Sequence, residues 1–148
     1  MFELVGIGGT FDHLHEGHKL LVETALKISK KLMIGLTTDR LLGNKKFKES
    51  IESYSFRKKN LLQFLKKKSA LQKTEICELN DPFGPPAREG EYEAIVVSQE
   101  TYEVALKINE MRHEKGFKPL IIVVIPILKN DSNKKISSTD IRKDINNI

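Results

Sequence analysis

Residues 2–22, FELVGIGGTFDHLHEGHKLLV, carry the pattern that decides the fold. Residues 2–7 are mostly apolar and predict a strand, and a glycine pair at 8–9 then interrupts the run. Apolar residues return at helical spacing over 17–29, which predicts a helix. Strand, glycine turn and helix in this order begin a β-α-β unit. In open parallel sheets, ligands bind beyond the carboxyl ends of the strands, so this first junction is the first candidate site.

The same alternation continues to the end of the chain. Further strands are predicted at 32–37, 74–79, 94–98 and 120–125, and further helices at 53–68, 100–115 and 138–145. The run LIIVVI at 120–125 is the most apolar and is expected to be a central strand covered on both faces. In the second helix, the residues expected to face the core are Phe56, Leu61, Phe64 and Leu65.

This order of elements indicates the α/β class. We expect a single domain over residues 1–148, built on a Rossmann-like doubly wound parallel sheet of about five strands with helices on both faces.

Composition limits the classes of function that are open to the chain. Its 148 residues include 25 basic and 20 acidic side chains, and most basic patches, such as 57–59 and 66–68, are expected to be solvated. No aromatic platform or docking motif accompanies them, so we expect no nucleic-acid partner. The absence of a long apolar run and of a leader favours a cytoplasmic protein with no membrane partner. The single cysteine, Cys77, fits a reducing compartment and a packing role in a strand.

Three histidines, His13, His15 and His18, stand within six residues of the first turn. A metal site would need further cysteine, histidine or carboxylate ligands converging on one ion, and the pattern does not supply them, so no metal ligand is predicted. A turn with merely solvated histidines would leave their clustering unexplained. A phosphate site uses every part of the segment, because the glycine pair allows close approach and the helix that Gly17 opens attracts an anion. The pattern therefore favours phosphoryl or nucleotidyl transfer.

The same residues carry a resemblance to a known family. GTFD at 9–12 with HEGH at 15–18 resembles the GTFD and HxGH signature of the nucleotidylyltransferase superfamily, and ISSTDIR at 136–142 resembles its ISSTxIR element. Within the superfamily, three further stretches are similar to archaeal-type phosphopantetheine adenylyltransferases: NKKF at 44–47, NDPFGPP at 80–86 and VSQET at 97–101. The resemblance implies transfer of AMP from ATP to 4'-phosphopantetheine by direct in-line attack, without a covalent enzyme intermediate. The products would be dephospho-coenzyme A and pyrophosphate.

The resemblance also implies which residues act. The expected catalytic residues are Thr10, His15, His18 and Lys45. The expected ATP contacts are Gly8, Gly9, Phe11, Gly17, Ser98, Glu100, Ser137, Ser138, Thr139 and Arg142. The expected 4'-phosphopantetheine contacts are Thr10, Asp12, Lys45, Asp81, Pro82 and Phe83. A magnesium ion is expected on the ATP phosphates, held mainly by substrate oxygens and water.

Several assignments have alternatives that the sequence leaves open. Asp12 can close its own turn instead of contacting a ligand, Lys46 is as close to the acceptor as Lys45, and Ser138 can cap the last helix. His13 has no matching functional position and is expected to pack or to lie at the surface. A glycerol-phosphate cytidylyltransferase or an FAD synthetase would share the first signature, and a noncatalytic nucleotide-binding regulator is the alternative outside the enzymes.

Overall fold

The computed structural model describes residues 1–43 and 50–126. Five strands form one sheet: β1 Phe2–Gly9, β2 Ser29–Thr37, β3 Thr74–Leu79, β4 Ala94–Ser98 and β5 Ile121–Ile125. Three α-helices connect them, α1 Glu16–Ile28, α2 Tyr54–Lys67 and α3 Tyr102–Glu114, with short 3₁₀ helices at Leu71–Lys73 and Pro85–Ala87. The predicted helix at 138–145 lies outside the described residues.

The sheet is entirely parallel and has the strand order β3-β2-β1-β4-β5. Successive strands run outward from β1 to β3, and the chain then returns to place β4 on the other side of β1. The order therefore reverses between β1 and β4, which leaves a crevice at their carboxyl ends. Gly9 ends β1 and Ser98 ends β4, so the crevice lies where the sequence predicted the first site.

Helices cover both faces of the sheet, as predicted. On one face, α1 and α2 pack Val22, Ala25 and Leu61 against the sheet residues Val5 and Ile34. On the other face, α3 contributes Ala105 and Ile108 to a second cluster with Met33, Ile95 and Val97. Successive residues of β4 thus enter opposite clusters, and this is why its AIVV run is apolar at every position.

Two expectations about burial are wrong. Among the described strands, β5 lies at an edge, because the crossover from α3 places it outside β4, and its residues Ile121 and Val124 are exposed. In α2, Leu61, Phe64 and Leu65 are buried as predicted, but Phe56 is about half exposed and its neighbour Arg57 is fully buried. Hydrophobic spacing alone does not identify a buried arginine, because its burial depends on oxygen acceptors that the tertiary structure supplies.

Smaller features agree with the sequence. Cys77 lies in β3, half-buried, with its sulfur 3.1 Å from that of Met33. Among the described residues, no helix has the length and apolar composition needed to cross a bilayer.

The adjacent leucines of α2 test the core assignment. Leu61 is fully buried and Leu62 is about 39% exposed, so we expect Leu61→Ala to lower the free energy of unfolding by about 2–5 kcal/mol. Leu62→Ala, the matched control, should change it by no more than about 0.5 kcal/mol. Urea denaturation followed by circular dichroism measures both, and equal losses would contradict the orientation of α2.

Candidate functional site

The loop from β1 to α1 is held in a strained conformation. Phe11 and His13 both have left-handed backbone angles, with φ of 51° and 48°, which residues other than glycine rarely adopt. The fully buried carboxylate of Asp12 accepts the Glu52 N–H at 2.8 Å, and the Glu52 carboxylate in turn accepts the His13 N–H at 2.8 Å. These reciprocal bonds stabilise the strained turn by tying it to the segment before α2.

Two histidines form the N-terminal cap of α1. His15 is the N-cap residue and its Nδ1 accepts the Gly17 N–H at 3.0 Å, while Nδ1 of His18 accepts the His15 N–H at 3.3 Å. The arrangement is a capping box in which imidazoles replace the usual hydroxyl and carboxylate. Because each Nδ1 accepts a hydrogen bond, the proton of each neutral ring is on Nε2.

The environment of these rings favours the neutral form of His15. The two imidazoles stack with centroids 3.8 Å apart. Partial burial lowers the pKa of His15 below its ordinary value, and the nearby Glu16 carboxylate only partly opposes this. Nε2 of His15 is buried and has no hydrogen-bond partner among the described residues. A buried donor without an acceptor is costly, and a ligand oxygen at this helix start would satisfy it.

A cavity of about 300 Å³ opens at the carboxyl ends of the strands. Its floor is the glycine-rich end of β1, with Gly8, Gly9 and Thr10, together with Gly35 and Thr37 of β2. The rest of the wall is mostly apolar and includes Leu41, Leu42, Leu79, Val97, Val104 and Ile108. The cavity therefore has a polar end at Thr10 and an apolar body.

A proline-rich loop after β3 forms one wall of this cavity. Pro82, Phe83 and Pro86 line it. The Asp81 carboxylate accepts the N–H groups of Phe83 and Gly84, each at 2.9 Å, and pairs with Arg88 at 3.0 Å. Burial tends to raise the pKa of Asp81, but the N–H donors of Gly84 and Phe83 and the Arg88 charge together lower it. Asp81 thus shapes the wall that its neighbours form.

The turn after β4 is also organised by side chains. The hydroxyl oxygen of Thr101 accepts the Ser98 N–H at 3.2 Å, which closes the turn between β4 and α3. Glu100 lies exposed in this turn. Ser98 and Glu100 are thus at the carboxyl edge of β4, across the crevice from the end of β1.

Comparison with known proteins agrees with this geometry. The family profile described as cytidylyltransferase-like matches residues 7–144. A phosphopantetheine adenylyltransferase of Methanosarcina mazei is 46% identical over 94% of this chain and 90% of its own length. One from Pyrococcus abyssi is 45% identical over 95% of this chain and 89% of its own length. A crystal structure of a protein of unknown function from Archaeoglobus fulgidus, 33% identical, matches with a TM-score of 0.75 over 93% of this chain and 100% of that one.

The chain belongs to the phosphopantetheine adenylyltransferases. It is thereby also a member of the cytidylyltransferase-like family, and the predicted family resemblance and Rossmann-like fold are both confirmed.

Most of the residues expected to act in this adenylyltransferase fall into three groups, apart from Asp12 and Asp81 and the pair Ser98 and Glu100 at the end of β4. One group surrounds the cavity: Gly8, Gly9, Thr10, Pro82 and Phe83. A second forms the start of α1, with His15, Gly17, His18 and the buried Phe11, whose ring lies 5.3 Å from that of His18. The third lies outside the described residues: Lys45, Ser137, Ser138, Thr139 and Arg142.

Two of the expected ligand contacts, and also His13, have side chains that already make bonds within the protein. Asp12 is fully buried and bonded to Glu52, which is the turn-closing alternative left open by the sequence; its contact with a ligand stays a prediction. The ligand contact of Asp81 likewise stays a prediction. His13, expected to pack or to lie at the surface, is partly buried and places Nε2 3.0 Å from the Ser50 carbonyl oxygen. The side chains of Asp12, His13 and Glu52 lie close enough together to resemble a metal site. In this structure the two carboxylates accept backbone N–H groups, which joins the two loops.

Sequence reasoning missed two residues beside Thr10. Thr37, at the end of β2, donates its hydroxyl to the Thr10 hydroxyl oxygen at 3.2 Å. Arg57, grouped by sequence with solvated lysines, donates to the Thr10 carbonyl oxygen at 3.0 Å. The position of Thr37 at a strand end was a usable signal, since strand ends line such sites. Nothing in the local sequence distinguished Arg57 from its basic neighbours.

The cap geometry predicts the protonation of the histidine pair. At pH 7.5, side-chain ¹⁵N shifts should show the Nε2–H form for both His15 and His18, and His15 should titrate below its ordinary pKa of 6.5. Since the unfolded chain would still protonate near pH 6.5, His15 should reduce stability as the pH falls below that value and have no such effect above it. A ring of either residue with its proton on Nδ1, or a pKa of His15 above 6.5, would contradict the geometry.

Proposed function

We propose that the chain transfers AMP from ATP to 4'-phosphopantetheine, forming dephospho-coenzyme A and pyrophosphate. The observation that carries the proposal is the position of Thr10, which lies in the polar end of the cavity and also begins the loop to the histidine-capped helix. An acceptor in the cavity and a triphosphate at the helix start would therefore meet at this residue. Close relatives named for the same activity support it. We also propose a cytoplasmic location, since the single cysteine of the sequence fits a reducing compartment.

The chemistry needs no nucleophile from the protein. The terminal phosphate of the acceptor carries anionic oxygens at neutral pH, and one of them attacks the α-phosphorus of ATP. The new phosphorus–oxygen bond forms as the bond from the α-phosphorus to the bridging oxygen breaks, and pyrophosphate leaves with that oxygen. The protein contributes by holding the two phosphates in line and by stabilising the charge that develops on them.

The histidine pair is suited to stabilising the charge that develops on the phosphates. Because both Nδ1 atoms accept backbone N–H groups, each ring carries its proton on Nε2, and these Nε2–H groups would donate to oxygens of the α-phosphoryl group. The N–H groups at the start of α1 and its positive dipole end add to the field there. Fixed donors of this kind need no reorganisation when negative charge develops on the α-phosphoryl oxygens and on the leaving group.

A magnesium ion on the ATP phosphates fits the residues present. Among the described residues, those that line the cavity include no carboxylate, and the carboxylates of Asp12 and Glu52 accept N–H groups of their own loops. We therefore propose that phosphate oxygens and water hold the ion, which would neutralise part of the triphosphate charge. No metal ligand from the described part of the protein is proposed.

The cavity favours 4'-phosphopantetheine over smaller acceptors. A volume of about 300 Å³ with an apolar body suits a long, flexible arm that carries its phosphate at one end. Glycerol phosphate is small and polar throughout, so it would leave this apolar surface uncovered. The proline-rich wall with Pro82 and Phe83 supplies part of the contact for the arm.

A comparison of three substrate pairs tests the function. Pyrophosphate release should be fast with ATP and 4'-phosphopantetheine, and near background with CTP and glycerol phosphate or with ATP and FMN. Mass spectrometry should identify dephospho-coenzyme A as the product of the first pair. ATP binding without turnover of any pair would overturn the enzymatic proposal in favour of a regulator.

The role of His18 can be tested against a distant histidine. We expect His18→Ala to lower kcat by about 100-fold or more, the scale found when one transition-state donor is lost. His113→Ala, at the exposed end of α3, is the matched control and should keep normal turnover. Circular dichroism and thermal unfolding establish that both variants fold. Near-normal turnover by a folded His18→Ala variant would remove this side chain from the mechanism.

A further inference from the structure

A buried arginine lies directly behind the polar end of the cavity. Arg57 is fully buried, and its Nη1 donates to the carbonyl oxygens of Thr10 at 3.0 Å and Thr37 at 2.8 Å. Nε donates to the Glu52 carbonyl oxygen at 2.9 Å, and Nη2 donates to the Asp39 carboxylate at 3.0 Å. The guanidinium thus joins the ends of β1 and β2 to the entry of α2.

The two Nη1 hydrogens serve three acceptors, so one of them is shared with the hydroxyl oxygen of Thr37, which lies 3.3 Å from Nη1. The Thr37 hydroxyl donates to Oγ1 of Thr10 at 3.2 Å. The donor-to-acceptor direction of this series of hydrogen bonds is set by Arg57, because a guanidinium has donors and no acceptor. Thr37 accepts from Arg57 and gives its own hydrogen to Thr10. The Thr10 hydroxyl hydrogen is then available to the cavity, which Thr10 lines.

We propose that Thr37 is a positioning residue that, with Arg57, orients the Thr10 hydroxyl as a donor toward a phosphate oxygen of the reacting substrates. The inference rests on the proposed function, since that function places the phosphate at Thr10. A hydroxyl can rotate, and a Thr10 hydrogen turned toward Thr37 would present only lone pairs to an anionic oxygen. The bond from Thr37 disfavours that rotamer, and linked bonds of this kind strengthen one another.

The network allows the orienting bond to be removed without removing the scaffold. In a Thr37→Val variant the side chain keeps its shape, and Arg57 keeps its bonds to three carbonyl oxygens and to Asp39. Only the hydroxyl link between Arg57 and Thr10 is lost. Thr37→Ser restores that hydroxyl and is the conservative variant that should rescue activity.

The expected result is a change in kcat with little change in binding. Thr37→Val should lower kcat about tenfold, as expected for the loss of one orienting hydrogen bond, with KM for ATP changed less than about twofold. Thr37→Ser should stay within about threefold of the wild type. The matched control is Thr74→Val at the start of β3, where the buried hydroxyl has no hydrogen-bond partner among the described residues. It should leave kcat unchanged.

A double-mutant cycle separates orientation of Thr10 from a general structural effect. In a Thr10→Val background the orienting bond has no target, so adding Thr37→Val should lower kcat by less than about twofold further. Equal losses in the two backgrounds would overturn the relay, as would full activity of Thr37→Val or of Thr10→Val alone. If the wild type produces dephospho-coenzyme A but the two substitutions lower kcat additively, the orienting role of Thr37 is overturned and the proposed function stands. A wild type that forms no product would overturn both the relay and the proposed function.

Discussion

A guanidinium group inside a protein cannot be hydrated, so oxygen atoms of the fold must accept its N–H donors. Arg57 meets this requirement with acceptors from three separate segments: the residue after β1, the end of β2 and its following turn, and the segment before α2. Leaving any of these donors unpaired would cost stability, so the segments are constrained to one planar group. The polar end of the cavity is built on that constraint.

A second buried arginine plays the corresponding part on the other face of the sheet. Arg112 of α3 donates to the carbonyl oxygens of Pro86, Glu89 and Tyr92 in the loop before β4, and to that of Lys118 before β5. Because Pro86 lines the cavity, this arginine fixes a wall as Arg57 fixes the polar end. Both arginines donate mainly to backbone carbonyl oxygens, so the loops are held independently of which side chains they carry.

Regular elements were predictable because their signals are local. The alternation of apolar runs and helical patterns predicted five strands and the three described helices, and the first glycine turn marked the crevice between β1 and β4. The edge position of β5 was not predictable in the same way, because an apolar run such as LIIVVI predicts a strand but does not specify a neighbouring strand on each side. Thr37 and Arg57 were missed since their importance arises from contacts with Thr10, 27 and 47 positions away in sequence.

The histidine signature was found from sequence, but its physical basis is visible only in the structure. The spacing of three between His15 and His18 places one imidazole at the N-cap and the other at the third helical residue, the positions whose side chains exchange bonds with the helix start. A neutral ring that accepts a backbone N–H through Nδ1 must carry its hydrogen on Nε2. The bonds that begin the helix therefore also decide where each imidazole keeps its proton. Replacing either histidine by a serine or a glutamate would preserve a cap but would remove the Nε2–H donor, so helix capping alone does not account for imidazoles at both positions.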